Sequence, residues 1–219
     1  MSAPRELPMF PLGSVLLPGM LLPLHIFEPR YQLMISDLLA ADGDSFGVSL
    51  IERGHEVGGG DIRAMVGCRA QVLECVQGPD GRWGVLAVGT ERIRVHEWLP
   101  DDPYPRALIV PEPDVDAGLS DDESHRLEQL ERRVRRCAAL ASELGLAAPA
   151  EVEFSRDPEQ WTFQLAVLAP LGALDRQRIL AAASARLRLE LLEDVVGDQE
   201  VLLEGQLRLG GLDDPDTPR

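Results

Sequence analysis

The spacing of apolar residues changes near residue 111, and this change limits the possible folds more than any other feature of the sequence. Before it, short apolar runs are interrupted by Gly and Pro, which is typical of strands and turns. After it, apolar residues recur every three or four positions, which is typical of helices. We therefore predict a β lobe over residues 1–110, a linker over 111–119, a helical bundle over 120–209 and a disordered tail over 210–219.

Within the β lobe, eight runs have the length and composition of strands. They cover residues 7–10, 15–17, 20–27, 45–51, 64–76, 82–88, 91–98 and 106–110. Pro79-Asp80-Gly81 has the composition of a tight turn and is expected to join the fifth and sixth runs in a hairpin. In the run 91–98, Ile93 and Val95 alternate with Arg92, Arg94 and His96, so we expect one buried and one solvated face.

One helix is expected inside the β lobe. Pro29 suits a first helical turn, and an apolar stripe on one face continues until Asp42-Gly43. The stripe consists of Tyr31, Met34, Ile35 and Leu38. It must cover one side or end of the sheet, so the expected lobe is a small, strongly bent sheet or partly open barrel with one helix. The chain as a whole is then an α+β protein.

The helical lobe is expected to open with a long helix. Ser120 and Glu123 have the spacing of a capping box, and the helix should run to about residue 144. Its apolar positions step by three and four and form a narrow seam. The seam consists of Leu127, Leu130, Val134, Cys137, Ala141 and Leu144. The Arg cluster at 132–136 follows Glu128 and Glu131 by one turn, so we expect a solvated, ion-paired face rather than a binding patch.

Three further helices are expected in this lobe. Asp157 has the position of an N-cap, followed by Pro158 and then by Gln160 at the third helical position. Asp175 is expected to cap the next helix, which should end just before Gly197. Its inward residues would be Ile179, Ala183, Leu187 and Leu191. A last short helix is expected over residues 199–209.

The charge balance argues against two classes of partner. The formal net charge is −16, with −5 over residues 1–110 and −11 over residues 111–219. Binding to nucleic acid or to an anionic membrane surface requires an excess of cations, and neither lobe has one. No apolar stretch is long enough to span a bilayer, and the first residues lack the pattern of a signal peptide, so we expect a cytoplasmic protein.

The composition also excludes several kinds of catalytic site. All 21 basic residues are Arg, so this chain has no Walker A lysine, no Ser–Lys pair and no Schiff-base amine. It has no His-Glu-x-x-His motif, and the pairs His55-Glu56 and His96-Glu97 lack a second ligand at useful spacing. The Gly-x-Ser-x-Gly sequence at 43–47 stands at the start of the expected strand 45–51, whereas a nucleophile elbow follows a strand and precedes a helix. Cys68, Cys75 and Cys137 are expected to be buried free thiols. We therefore expect no enzyme activity, no cofactor and no metal.

Residues 7–31 read LPMFPLGSVLLPGMLLPLHIFEPRY, and this stretch closely resembles the start of the substrate-binding amino-terminal domain of ATP-dependent Lon proteases. The resemblance continues in GTERIRV at 89–95, in DPEQ at 157–160 and over 174–192, and it covers roughly residues 7–209. Residues 175–181 depart from it, because they read DRQRILA where that family usually has a Lys-Gln pair followed by Leu-Leu-Glu. The coiled extension that leads to the family's motor is also missing.

The resemblance implies a PUA-like β lobe followed by a helical bundle. In full Lon enzymes this domain selects unfolded or degron-bearing substrates, and the AAA+ motor and the Ser–Lys protease follow it. Because the sequence stops at Arg219, we expect a free-standing, non-enzymatic polypeptide-binding module without ATPase and protease domains. Extended apolar segments should bind on the β lobe or in a groove between the lobes.

Two stretches supply the candidate binding residues. The run 12–21 is apolar but broken by Pro and Gly, and it forms either an exposed loop patch or an edge strand. The motif HIFEPRY at 25–31 either contributes to a peptide groove or fixes the corner between a strand and a helix. The candidates for polypeptide binding are Leu16, Leu17, Met20, Phe27, Arg30 and Tyr31.

Three other functions stay open at this point. An RNA-binding PUA-like protein would need a basic, aromatic-lined groove, for which Arg92, Arg94 and His96 are the only hint. A small hydrolase would need a Ser, a His and a carboxylate within hydrogen-bond reach. A scaffold for one dedicated protein partner would show an exposed apolar stripe along the seam at 127–144.

Overall fold

The computed structural model describes residues 3–53, 62–115, 118–146 and 153–210. The chain divides into two compact units, Met1–Pro113 and Asp114–Arg219, and the division falls within the stretch predicted as a linker. Residues 211–219 of the tail predicted over 210–219 and the pair His55-Glu56 lie outside the described residues, while Gly210 is the last residue of a helix.

The described part of the first unit contains seven strands and one helix. They are β1 (Arg5–Leu12), β2 (Leu21–Ile26), α1 (Pro29–Ala40), β3 (Ser45–Arg53), β4 (Ile62–Arg63), β5 (Val66–Gln77), β6 (Trp83–Trp98) and β7 (Arg106–Pro111). The strands pair in the order β1-β7-β6-β5-β3-β4, and β1 also pairs with β3 in parallel. This last pairing closes the sheet on itself, while β2 is added to β6. The predicted bent, barrel-like lobe with one helix is confirmed.

Two strand predictions are wrong. The predicted strands 82–88 and 91–98 are one strand, β6, because its pairing with β5 skips Thr90 and then continues. The predicted strand 15–17 is a loop, although its side chains Val15, Leu16 and Leu17 are buried. Their burial comes from packing of the loop on the barrel and not from strand pairing. An apolar run alone does not distinguish these two cases.

A close backbone approach holds this loop against β6. The Gly19 N–H donates to the Gly89 carbonyl at 2.8 Å, and the Gly89 N–H donates to the Met20 carbonyl at 2.9 Å. A Cβ atom on Gly89 would lie 2.2 Å from the Leu17 carbonyl oxygen, so a residue without a side chain is required there. The loop therefore fixes where the chain enters β2.

Aromatic stacking joins α1 to the inside of the barrel. Phe10 of β1 stacks on Tyr31 with ring centroids 4.2 Å apart, and it meets Phe46 of β3 at 6.1 Å. The predicted stripe of α1 is buried, and Pro29 stands in the first turn as expected. Burial of each large apolar side chain contributes on the order of 1.5–3 kcal/mol, so this stripe is a main source of stability for the unit.

The described part of the second unit consists of helices, as predicted. They are α2 (Asp121–Glu143), α3 (Pro158–Leu168), α4 (Ala173–Ala181) and α5 (Ala185–Gly210). Ser120 and Glu123 form the predicted capping box at the start of α2. The Asp157 side chain accepts a hydrogen bond from the Gln160 N–H at 3.0 Å, which is the predicted cap of α3.

Helices α2 and α5 run parallel and pack on each other. Four ion pairs among the described residues join them, and the residue number rises along both helices from one pair to the next. The pairs are Glu123–Arg186, Arg126–Glu193, Arg133–Glu200 and Arg136–Glu204. Arg135 instead pairs with Glu131 one turn earlier, as expected for an ion-paired face. The α2 seam from Leu127 to Ala141 is buried.

The predicted bounds of the next two helices are wrong. Helix α4 begins after Gly172 rather than at Asp175, and it ends at an extended residue, Ala182. Helix α5 then passes through Gly197 without interruption. Because the break between α4 and α5 rotates the inward face, Leu187 is exposed instead of buried. Sequence periodicity does not reveal a short break after which the same period starts again.

Arg188 is the largest fully buried side chain of the protein within the described residues. Its guanidinium donates to the Asp114 carboxylate at 2.7 and 2.5 Å and to the Thr162 hydroxyl at 2.9 Å. It also lies over the Phe163 ring, 4.2 Å from the centroid. A buried charge requires such partners, so Asp114, at the start of the second unit, is held on α5.

Candidate polypeptide-binding site

The motif HIFEPRY forms the junction between β2 and α1. Along β2, Leu22 and Ile26 are buried, whereas the side chains at alternate positions face outwards. Phe27 follows the strand and is 60% exposed, which is a large fraction for a phenylalanine. Because α1 begins at Pro29, the backbone turns at Glu28 and leaves the Phe27 ring on the surface.

Two pockets meet at His25 and Phe27, which line both. The first has a volume of 190 Å³ and lies between the end of β1 and β2, and Tyr31 is among the residues that line it. The second has a volume of 460 Å³ and lies between β2 and the β5–β6 hairpin, where Val76 and Trp83 line it. The Phe27 ring therefore stands between two concave, largely apolar surfaces.

The outer face where β2 pairs with β6 is also apolar, whereas β5 adds the exposed Gln71 and Glu74 beside it. Leu21 lies opposite Val88 and Pro23 opposite Leu86, while Val76 lies one row further along. Leu21 is 56% and Val76 is 67% exposed. A sheet with one solvated face normally carries polar residues on that face. An apolar outer face of this kind is typical of a surface that binds another molecule.

Four of the predicted binding residues belong wholly or partly to the core. Leu16 and Leu17 are buried in the loop before β2, and Tyr31 is buried where it stacks on Phe10. Met20 is partly buried and packs on the same cluster. As they are placed, these side chains shape the corner between β2 and α1 and are covered by the protein itself.

The other two predicted residues lie at the surface and differ in character. Phe27 is the exposed apolar group of the motif. Arg30 is partly buried, donates to Glu28 at 3.1 Å and lies over the Tyr31 ring at 4.5 Å. Its charge is therefore paired, and the side chain braces the first turn of α1.

Sequence reasoning missed the residues that complete the site around Phe27. The outward set of β2, which includes Leu21 and His25, has a visible signal, because it alternates with the inward set. Val76, Trp83 and Leu86 have no such signal. Only the register of β2 on β6 and of β6 on β5 brings them beside β2.

The charged groups at the edge of the site are paired with each other. Glu28 and Arg30 are 3.1 Å apart, and Asp80 and Arg82 are 3.3 Å apart. The acidic side chains that line the two pockets are thus each paired with an Arg, and the rest of the pocket walls is mainly apolar.

The part of β6 that suggested RNA binding is not a basic surface. Arg92 is 2% exposed, whereas a solvated position was expected. Arg94 donates to both carboxylate oxygens of Glu112, at 2.9 and 2.5 Å. This hydrogen bonding lowers the pKa of Glu112 and raises the pKa of Arg94. The two guanidinium groups are therefore not arranged to meet phosphates.

The remaining candidate sites can be compared with the described residues. The α2 seam is buried within its own unit, so it is not the exposed stripe of a scaffold. Cys68 and Cys137 are buried as predicted, and burial raises the pKa of their thiols to about 12 and about 11, while Cys75 is only partly buried. Among the described residues, no group of His, Cys, Asp and Glu is arranged to hold a metal ion. No helix in the described ranges has the length and apolar composition of a membrane span.

Comparison with known proteins gives one consistent result. The family model of the ATP-dependent protease La (LON) substrate-binding domain matches residues 6–196. Lon protease 2 of Herpetosiphon aurantiacus is 28% identical over 91% of this chain, and the Lon protease of Heliobacterium modesticaldum is 27% identical over 91%. The chain covers 24% and 25% of these two proteins, so it spans about a quarter of the length of the curated relatives it matches.

Solved structures agree with the family match. A Lon N-terminal domain protein from Xanthomonas campestris is 28% identical, with a TM-score of 0.65, and the match covers 87% of this chain and 98% of that one. The N-terminal domain of a Mycobacterium avium complex Lon protease has a TM-score of 0.62 at 15% identity, with 89% and 99% covered, and shows the fold alone.

The closed barrel with its helix, followed by helices with an α2–α5 pair, defines a PUA-like domain joined to a helical bundle. The chain belongs to the ATP-dependent protease La (LON) substrate-binding domain family. The resemblance carried by residues 7–31 and 89–95 is thereby confirmed.

Proposed function

We propose that this chain is a non-catalytic module that binds unfolded or degron-bearing polypeptides, and that it binds their apolar segments at the β2–α1 corner. The observation that carries the proposal is the exposed Phe27 ring between two apolar pockets. Membership of a substrate-binding domain family supports the class of ligand. The proposed location is the cytoplasm.

The chemistry of the corner supports recognition by apolar contact. Apolar side chains on the outer face of β2 and β6 extend the surface away from Phe27. Aromatic residues in partly enclosed positions dominate the binding energy of many protein interfaces. Because the neighbouring charges are paired, the surface has little to offer an ionic ligand and suits segments that are exposed only when a protein unfolds.

No catalytic role is part of the proposal. The absence of Lys excludes a Walker A site and a Ser–Lys pair within this chain. His25 lies at the site, but its surroundings are apolar side chains and paired charges rather than a nucleophile and an oxyanion hole. Binding alone accounts for the features of the corner.

Fluorescence anisotropy of a labelled polypeptide tests the proposal. The probe is a reduced and carboxamidomethylated protein that cannot refold, titrated with this chain at physiological salt, and single-stranded RNA is the second probe. We expect saturable binding of the polypeptide and no response from the RNA. Binding of RNA without binding of the polypeptide would refute the proposal and favour a nucleic-acid function.

Two surface variants locate the binding site. Phe27→Ser removes the ring between the pockets, and we expect it to weaken polypeptide binding about tenfold, as for a central aromatic residue of an interface. Leu39→Ser is the matched control, because Leu39 is 42% exposed on α1 and lines neither pocket. Equal affinity of the two variants would place the binding surface elsewhere.

A further inference from the structure

Strand β2 has a second edge that no described strand covers. It pairs with β6 from Leu21 opposite Val88 to Ile26 opposite Trp83, and among the described strands it has no other partner. The hydrogen bond from the Gly89 N–H to the Met20 carbonyl fixes which main-chain groups face β6. Even-numbered residues of β2 turn their N–H and C=O groups towards β6, so Leu21, Pro23 and His25 turn theirs away.

Pro23 stands in the middle of this outer edge. It has no N–H to donate, and proline is tolerated within a sheet where its nitrogen points away from the partner strand. The outer edge therefore offers the N–H groups of Leu21 and His25 and the carbonyls of Leu21, Pro23 and His25. Proline on an edge also opposes pairing between two copies of the same strand. The edge is suited to a partner that donates more main-chain hydrogen bonds than it accepts.

The smaller pocket lies at the same edge. It is bounded by β2 on one side and by Phe10 and Leu12 of β1 on the other, and β1 pairs there with β3 on its far side. A closed cavity of about 150 Å³ is enough to hold a benzene molecule. A pocket of 190 Å³ therefore accepts one aliphatic or aromatic side chain from a chain lying beside β2.

We infer that an extended segment of a bound polypeptide adds to the outer edge of β2 as a further strand and places one large apolar side chain in the pocket between β1 and β2. This inference rests on the proposed function and specifies how the ligand is held. Main-chain hydrogen bonds to Leu21, Pro23 and His25 supply affinity for many sequences, and the pocket selects the side chain. A ligand that exposes apolar side chains but cannot become extended, such as a helical peptide, is then a poor ligand.

Backbone methylation of the ligand tests the strand. The parent is a labelled peptide of about seven residues with Thr at every second position. The positions between are Val, except for one central Leu, and this composition favours strands. Two analogues carry N-methyl groups on alternate residues, one set offset from the other by one residue. Each methyl group removes an N–H and keeps the side chain. We expect one analogue to bind at least about tenfold more weakly and the other to bind nearly as well as the parent, because main-chain groups alternate along a strand.

A pair of protein variants tests the edge from the other side. His25→Pro removes one outward N–H and leaves the pairing of β2 with β6 intact, since Pro23 already occupies an equivalent position. His25→Ala removes the same side chain and keeps the N–H. We expect His25→Pro to bind the peptide about threefold to tenfold more weakly than His25→Ala. Amide hydrogen exchange in β6 checks that the sheet is unchanged.

The outcomes separate this inference from the proposed function. If the parent peptide binds and both methylated analogues bind equally well, the added strand is wrong and polypeptide binding stands. If the parent binds and His25→Pro equals His25→Ala, the edge of β2 is not the one used. If neither the parent peptide nor the unfolded polypeptide binds, both proposals are wrong.

Discussion

The two units of this chain differ in where their apolar side chains lie. In the second unit, α2 and α5 bury a seam against each other, and Arg–Glu pairs flank it. A pocket of 440 Å³ in that unit is lined mostly by charged and polar groups such as Asp175, Asp194 and Asp198. In the first unit, apolar side chains occur on both faces of the β2–β6–β5 region, and both pockets there are lined mainly by apolar groups.

This difference indicates where evidence for a ligand should be sought. When two helices bury their apolar seam against each other and the charges beside the seam are paired, folding alone explains the residue pattern. A sheet whose outer face is apolar is not explained by folding alone, because a solvated face would be more stable with polar residues. The candidate site therefore lies in the β unit, and the helical unit supplies a contrast for each experiment below.

The largest expected effect comes from breaking the buried ion pair of the helical unit. Asp114→Ala leaves Arg188 buried without its carboxylate, and we expect a loss of about 3–5 kcal/mol in the free energy of unfolding. Urea unfolding followed by hydrogen exchange should place the loss in α3 and α5. Asp175→Ala, which breaks the exposed pair with Arg178, is the control and should change little. A loss below about 1 kcal/mol for Asp114→Ala would show that the pair does not hold the unit together.

The corresponding weak point of the β unit is the place where the backbone of the loop before β2 closely approaches the backbone of β6. In Gly89→Ala, the new Cβ would meet the Leu17 carbonyl oxygen at 2.2 Å, so the loop before β2 must move. We expect a loss of about 1–3 kcal/mol, as for overpacking, together with weaker polypeptide binding because β2 is displaced. Gly84→Ala in the same strand meets its nearest atom only at 3.9 Å and is the stability control. Equal stability of the two variants would contradict the proposed role of the loop.

The cap of α2 should have a smaller effect, confined to the helical unit. Ser120→Ala removes a side-chain acceptor for the Glu123 N–H, and we expect a loss of about 1 kcal/mol in the free energy of unfolding. Thermal unfolding measured by circular dichroism at the helix signal checks this value. Ser142→Ala, an exposed position in the last turn of α2, should lie within about 0.5 kcal/mol of the parent. A similar loss at both positions would show that the effect is not specific to the cap.

The smallest effect should be a pH dependence of the β unit. Because the hydrogen bond from Arg94 lowers the pKa of Glu112, this pair stabilises the folded state above the ordinary glutamate pKa. The contribution is lost as the pH falls through the lowered folded-state pKa. Since the Arg94 side chain is 46% exposed, we expect less than about 1 kcal/mol.

Glu112→Gln isolates this contribution. The variant should be slightly less stable than the parent at neutral pH, and the difference should shrink as the pH is lowered below about 4. Urea unfolding at a series of pH values measures it. A difference that is constant from neutral to acid pH would show that the carboxylate charge plays no part.

The amino-acid sequence by itself determined the features that depend on residues close together in the chain. The cap residues Ser120 and Asp157, the proline that starts α1 and the α2 seam are local patterns, and each is present in the structure. The motifs at residues 7–31 identified the family, because a specific order of residues is itself a sequence property. The β-then-α order followed from the change in periodicity.

Only the tertiary structure decided which side chains are covered. Leu17 and Phe27 are both apolar residues of the same stretch, yet Leu17 is buried within the loop before β2 and Phe27 is exposed. Arg188 and Arg92 are both buried, although the strand pattern assigns Arg92 to the solvated face. The surroundings of Phe27 come from β5 and β6, which are distant in the chain. Periodicity states which residues share a face, whereas strand register and loop packing determine what lies against that face.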